Sequence, residues 1–164
     1  MAAVTVNYRN VREALKRWVL ANVLNADTGA AWFEDHTVWI DPPKFEELTR
    51  FPALVILNAS TQFSSPSETG GTIVARHVLA LDFHTREDDS AAAGQKLDAL
   101  LTAFDTAWGN DALRFDAGLG NWTYRTQVGY PTEFYAALSD QFGAVSHFAS
   151  KTIRIDERLP ARTF

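Results

Sequence analysis

Between Ile73 and Phe83 every second residue is Ile, Ala, His, Leu, Leu and Phe in turn, while the intervening positions Val74, Arg76, Val78, Ala80 and Asp82 are mixed. Side chains alternate across a strand with period two. The pattern therefore predicts a long strand from about Thr72 to Thr85, with one apolar face and one half-wet face that continues to His84. A different period governs the segment before it and the segment after it. Val11, Ala14, Leu15, Trp18 and Asn22 share a helical stripe with Arg9, Arg12, Lys16 and Arg17 mostly off it, which predicts an amphipathic helix over 8–24. Asn7 and Asn10 are candidate caps for it, and Asn10 with Glu13 comes close to a capping box. Ala93, Leu97, Leu100, Leu101, Phe104 and Trp108 form a second stripe, capped by Asp88-Asp89-Ser90 and stopped by Gly109-Asn110.

The remaining segments read as strands and connections. Thr37–Ile40 predicts a short strand halted by Asp41-Pro42-Pro43, since proline cannot donate to a ladder. Phe45–Arg50 predicts a helical turn, and Ala53–Leu57 a strand covered on both faces. Residues 58–71, NASTQFSSPSETGG, are rich in Ser, Thr and Gly and predict a long hairpin loop. Loops of that length in compact domains are usually functional or disordered. Short strands follow at 113–115 and 122–128, residues 132–142 predict a helical turn or a loop, and Val145–Ile155 predicts a closing strand with Asp156-Glu157-Arg158 as a polar tail. No internal repeat or linker interrupts the pattern. It predicts one α+β domain over residues 1–164, a mainly antiparallel β-sheet with two amphipathic helices packed against it.

Composition narrows the function. At 164 residues with 46% hydrophobic side chains, the chain can bury its own core. It has no cysteine, which excludes disulfides, thiolate metal sites and cysteine nucleophiles. The first residues lack a basic start and an apolar core, so no signal peptide is expected. Apolar runs such as Phe51–Leu57 fall short of the roughly 20 residues of a membrane helix, so a soluble, cytoplasmic protein with no membrane partner is expected. The formal charge is −5 and the basic residues are scattered, which argues against tight nonspecific nucleic-acid binding.

Candidate chemistry is sparse. His77 and His84 are seven apart on one strand and so face opposite ways, and His36 and His147 are isolated. His77, among apolar neighbours, is expected to be a core or interface histidine. No zinc-binding His spacing and no nucleophile elbow occurs. Gly70-Gly71 and Gly118-Leu119-Gly120 read as turns. Glu34-Asp35, Asp82, Asp88-Asp89 and Asp140 fit a loop, a cap and a solvated face better than paired catalytic carboxylates. No enzyme activity, catalytic residue, metal or cofactor is expected. Trp122, Tyr124, Tyr130, Phe134 and Tyr135 crowd into 14 residues, a composition suited equally to a core and to a protein interface.

The order helix, strand, long-looped hairpin, helix, strands resembles the tail terminator (tail completion) proteins of long-tailed bacteriophages. The segments that carry the resemblance are NYRNVREALKRWVLANVL, FPALVILNASTQFS with GGTIVARHVLALDFHTRED, SAAAGQKLDALLTAFDTAW and KTIRIDER. The resemblance implies a structural virion protein, assembled in the host cytoplasm, that forms a ring of six copies. Such a ring caps the tail tube, stops its growth and offers a docking surface to the head–tail connector. Its partners would be other copies of itself, the tail tube protein and the neck or connector protein, with DNA passing through the bore unbound. In that setting Phe63, Ser64, Arg76, Trp122, Tyr124, Arg125, Tyr130 and Phe134 are the expected contact residues. Glu68, Asp82, Glu87, Asp88 and Asp89 are the expected acidic lining of the bore, where like charge would repel phosphates. A neck or head-completion adaptor shares these features, and a small enzyme or nucleotide-binding protein is the alternative of another class.

Overall fold

The computed structural model describes residues 8–63, 73–110, 114–116, 121–125, 132–137 and 145–159. The first helical stripe becomes α1, Tyr8–Asn22. Asn10 is its third residue and cannot be its cap. The buried stripe is Val11, Ala14, Leu15, Trp18 and Val19, and Val23 continues it just past the helix end. Asn22, expected on that stripe, is exposed instead and donates its side-chain amide to the carbonyl of Trp18 at 2.8 Å. The chain then reverses through a turn in which Gly29 takes φ 70°, a conformation that suits a residue without Cβ.

A 3₁₀ turn at Asp35–Thr37 leads into β1, Val38–Trp39, and a second at Phe45–Glu47 precedes β2, Ala53–Phe63. Ala53 to Val55 and Ile56 are all buried, as a strand covered on both faces requires. β2 continues to Phe63, so residues 58–63, expected to belong to the hairpin loop, are strand. The Ser and Thr content of that stretch concealed a pairing that runs on to Phe63 opposite Ala75. Residues 64–71 of the expected loop lie outside the described residues.

β3, Ile73–Glu87, alternates as its sequence dictates: Ala75, His77, Leu79, Leu81, Phe83 and Thr85 are buried. It passes directly into α2, Ser90–Asn110. Asp89 caps that helix, accepting from the backbone N–H of Ala92 at 3.1 Å. An Asp at this position satisfies a free N–H and complements the positive end of the helix dipole. Asp89→Ala is expected to cost about 1 kcal/mol of stability, measurable by urea unfolding. β4, Arg114–Asp116, β5, Asn121–Arg125, β6, Thr132–Ala137, and β7, Val145–Leu159, complete the order. β6 takes residues 132–137 of the stretch expected to be a helical turn or a loop, pairing in register with Ser146–Lys151 of β7, and residues 138–142 lie outside the described residues. β7 absorbs the expected polar tail, because Asp156 and Glu157 keep the alternation set by Ile153 and Ile155.

The seven strands form one sheet ordered β1-β2-β3-β7-β5-β4, with β6 also paired to β7. Among the described strand pairs only β1–β2 is parallel. Both helices lie on the face carried by the odd residues of β3, and the fold is α+β with a mainly antiparallel sheet. The core between them is aromatic. Trp18 of α1, Phe83 of β3, and Phe104 and Trp108 of α2 meet ring to ring at 5.2–5.9 Å.

Candidate interaction surface

Among the described residues both helices pack on one face, and no described helix covers the second sheet face. The pairing registers place Val55, Leu57, Ser60 and Gln62 of β2 there. Beside them come Val74, Arg76, Val78, Ala80, Asp82, His84 and Arg86 of β3, and then Phe148, Ser150, Thr152, Arg154 and Asp156 of β7. Apart from buried Val55 and exposed Ser60, Gln62 and Arg76, these residues are half-buried. The surface is neither a solvated face nor a core.

Its charges are mixed along the strands. Arg76 sits opposite Asp156, and Arg154 donates from Nη2 to Oδ2 of Asp156 at 3.2 Å. The Nε–Oδ1 approach in the same pair is 3.0 Å but poorly aligned, so the Nη2 bond carries the contact. Toward the other end, Arg86 lies 5.6 Å from the ring centre of Phe51, and His84 stacks on Phe148 with ring centres 5.3 Å apart. Burial lowers the pKa of His84 from its usual 6.5, and nearby Asp82 partly offsets this. The folded chain therefore holds fewer protons than the unfolded one just below pH 6.5, so stability falls as pH drops through that value. His84→Gln is expected to flatten the pH dependence of Tm between about pH 5 and 7. An unchanged slope would assign the acid sensitivity to other groups.

The register separates the expected contact residues into two groups. Phe63, at the end of β2 and 53% exposed, pairs with Ala75 on the helix-covered face, while Arg76 lies on the other face opposite Gln62. Trp122, Tyr124 and Arg125 on β5 lie opposite Glu157, Ile155 and Arg154 at the same end of the sheet. Phe134 on β6 lies opposite Ala149, toward the other end. Ser64, Tyr130 and Glu68 are outside the described residues. Of the expected acidic lining, Asp82 shares its sheet face with Arg76, Arg86 and Arg154. Glu87 is bridged to Lys96 at 2.7 Å, Asp89 caps α2, and Asp88 is exposed. All four lie at the end of β3 away from Phe63, with Asp82 six residues, roughly 20 Å, from Arg76.

Sequence reading missed a buried polar chain on the helix-covered face. The Oγ1 of Thr61 is 2.9 Å from Nδ1 of His77, whose Nε2 is 3.0 Å from the carboxylate of Glu157. His77 and Glu157 are buried, and the Tyr8 ring meets the imidazole edge-on at 5.8 Å. Asn58 Nδ2 approaches Thr61 Oγ1 at 3.5 Å. His77 is thus a core histidine facing away from His84, as its parity requires. The signal for Glu157 was its place two residues after Ile155 in an unbroken alternation.

Elsewhere, a shallow cleft of about 210 Å³ is lined by His36, Trp39, Glu47, Leu48, Thr49 and Arg50. Ligand pockets usually measure about 300–1,000 Å³. Its His36 Nε2 lies 3.0 Å from Arg50 and 3.1 Å from Glu34, at side chains that are largely exposed. His147 contacts Ser90 Oγ at 3.0 Å. Among the described residues no group of three His, Cys, Asp or Glu could hold a metal ion, and no helix is long and apolar enough to cross a membrane.

No family model matches the chain, and no curated protein matches it. Among solved structures, a chain from the virion of a native gene transfer agent (GTA) particle is similar at 16% identity, covering 92% of this chain and 100% of that chain with a TM-score of 0.41. A likeness that distant carries no argument about fold or function.

Proposed function

We propose that this chain is a structural virion protein that assembles into a ring, of six copies, at the end of a phage tail tube. The ring stops tube growth, presents a docking surface to the head–tail connector, and performs no catalysis. The observation that supports this reading is the long-stranded sheet, covered on one face only by the helices among the described residues. Beside it lies the outer edge of β2: among the described residues that edge is paired only at Leu54 and Val55, so Ile56–Phe63 has no neighbouring strand there. Unpaired strand edges are templates for another chain. A ring built from heterologous contacts needs two different patches on each copy. The end of the sheet supplies one, with Phe63, Trp122 and Tyr124 at register positions of the helix-covered face and Arg76 and Arg125 at positions of the other. In this reading Ser64, Tyr130 and Phe134 belong to further contacts. Asp82, Glu87, Asp88 and Asp89 face the bore at the other end, where a net negative field lets DNA slide without binding, and Glu68, which follows Phe63 in the chain, is proposed to add to that lining from the loop.

Electron microscopy of the purified protein, alone and mixed with tail tubes of the virus that encodes it, tests the proposal. Single rings capping tube ends are the expected result. Attachment to filled heads but not to tubes would assign the chain to the neck instead. A monomer that binds neither would end the structural reading.

A further inference from the structure

The pairing of β2 with β3 slips once. Asn58 lies opposite Leu79 and Ser60 opposite Val78, so Ala59 is an extra residue, a β-bulge. Residues three apart on a regular strand face opposite ways. The bulge cancels that parity and turns Asn58 and Thr61 to the same, helix-covered side. There Thr61 meets His77, and His77 meets Glu157, a residue 80 positions away on β7.

The chain of contacts has a consistent polarity. A carboxylate can only accept, so Nε2–H of His77 donates to Glu157. In the Nε2–H tautomer Nδ1 accepts the hydroxyl proton of Thr61, and Thr61 Oγ1 accepts from the side-chain amide of Asn58. Donor meets acceptor at every link. Among the groups that face the ring are Glu157 from β7, Thr61 from β2 and Tyr8 from α1. Leu79 and Ala75 flank His77 on its own strand.

We propose that Asn58, Thr61, His77 and Glu157 are positioning residues for the outer edge of β2. Their hydrogen-bonded chain holds the bulge at Ala59 and so sets the course of Ser60–Phe63, the segment offered to a second copy of the chain. The inference rests on the reading of that edge as a contact between copies. A bulge bends and twists its strand, so losing it would misalign every backbone group beyond Ala59.

The test uses the full chain with Thr61→Val, which keeps the shape and removes the hydroxyl, and Thr61→Ser, which restores it. Long-range ¹H–¹⁵N spectra of the imidazole are expected to show His77 in the Nε2–H tautomer. Backbone amides of Leu57–Phe63 are expected to exchange at least tenfold faster in Thr61→Val and near the normal rate in Thr61→Ser. Self-association and tube capping should weaken by a similar factor in the first variant and recover in the second. An Nδ1–H tautomer, or normal exchange and normal capping in Thr61→Val, overturns the positioning role. A wild-type chain that neither self-associates nor caps tubes overturns the contact reading beneath it, and the tautomer and exchange results distinguish that failure from the first. Should Thr61→Val fail to fold, Asn58→Ala at the outer end of the chain is read in the same way.

Discussion

Phe104→Ala is expected to destabilise the protein by about 3–5 kcal/mol, the usual cost of truncating a fully buried aromatic ring. Phe104 is 0% exposed and its ring touches Phe83 at 5.3 Å, Trp108 at 5.7 Å and Trp18 at 5.9 Å between centres. Those neighbours belong to β3, α2 and α1, so one side chain joins both helices to the sheet. Removing it leaves a cavity that three elements would have to move to fill, which close-packed interiors resist. For a chain of this length each kcal/mol shifts Tm by roughly 2–4 °C, so a fall of about 6–20 °C is expected by calorimetry. Total stabilities are usually about 5–15 kcal/mol, so the variant would lie near the limit of folding. Phe104→Leu should fall well short of this loss. A cost below about 1 kcal/mol for the Ala variant would show that the two helices hold to the sheet independently.

The second large effect concerns charge. His77→Leu is expected to cost about 3–5 kcal/mol, because it strands the carboxylate of Glu157 in a buried site without its imidazole partner. Glu157→Leu leaves a buried N–H unmet and is expected to cost about 1–3 kcal/mol. The double variant His77→Leu/Glu157→Leu removes both partners together. It should be less destabilised than His77→Leu alone, since replacing a buried pair by apolar groups of similar size is often close to neutral. Urea midpoints at constant m-value measure the cycle. Strict additivity of the two single variants would mean that the 3.0 Å contact does not couple them.

The strongest elements were legible because one period governs each from end to end. α2 and β3 follow from the stripes at Leu97–Trp108 and Ile73–Phe83 with nothing to contradict them. Where tertiary partners decide, local pattern misled. Residues 58–63 look like a loop until Thr61 is seen to bond a histidine in the core. Thr132–Ala137 has no marked alternation, and its strand character comes from lying against β7. Asp156-Glu157-Arg158 reads as a solvated tail because charged residues are seldom buried without a partner, and the partner of Glu157 is 80 residues distant. The open sheet face was visible only as the mixed positions of β3, since its other members come from β2 and β7.

The position of β7 shapes how the molecule must be made. It pairs with β3 along fifteen positions, from Ile73–Leu159 to Glu87–Val145, and with β5 and β6 on its opposite side. Each β3–β7 rung closes a loop of nearly sixty residues or more, and contacts of such long range slow folding. Until β7 is in place, β3 lacks a neighbour on one side and β5 and β6 lack the strand they lie against. On a ribosome, the hairpin and both helices would therefore emerge with an unfinished sheet, a species prone to mispair with its own kind. If the finished protein joins other copies by its edges, as proposed, it passes first through a stage in which premature joining is its chief hazard.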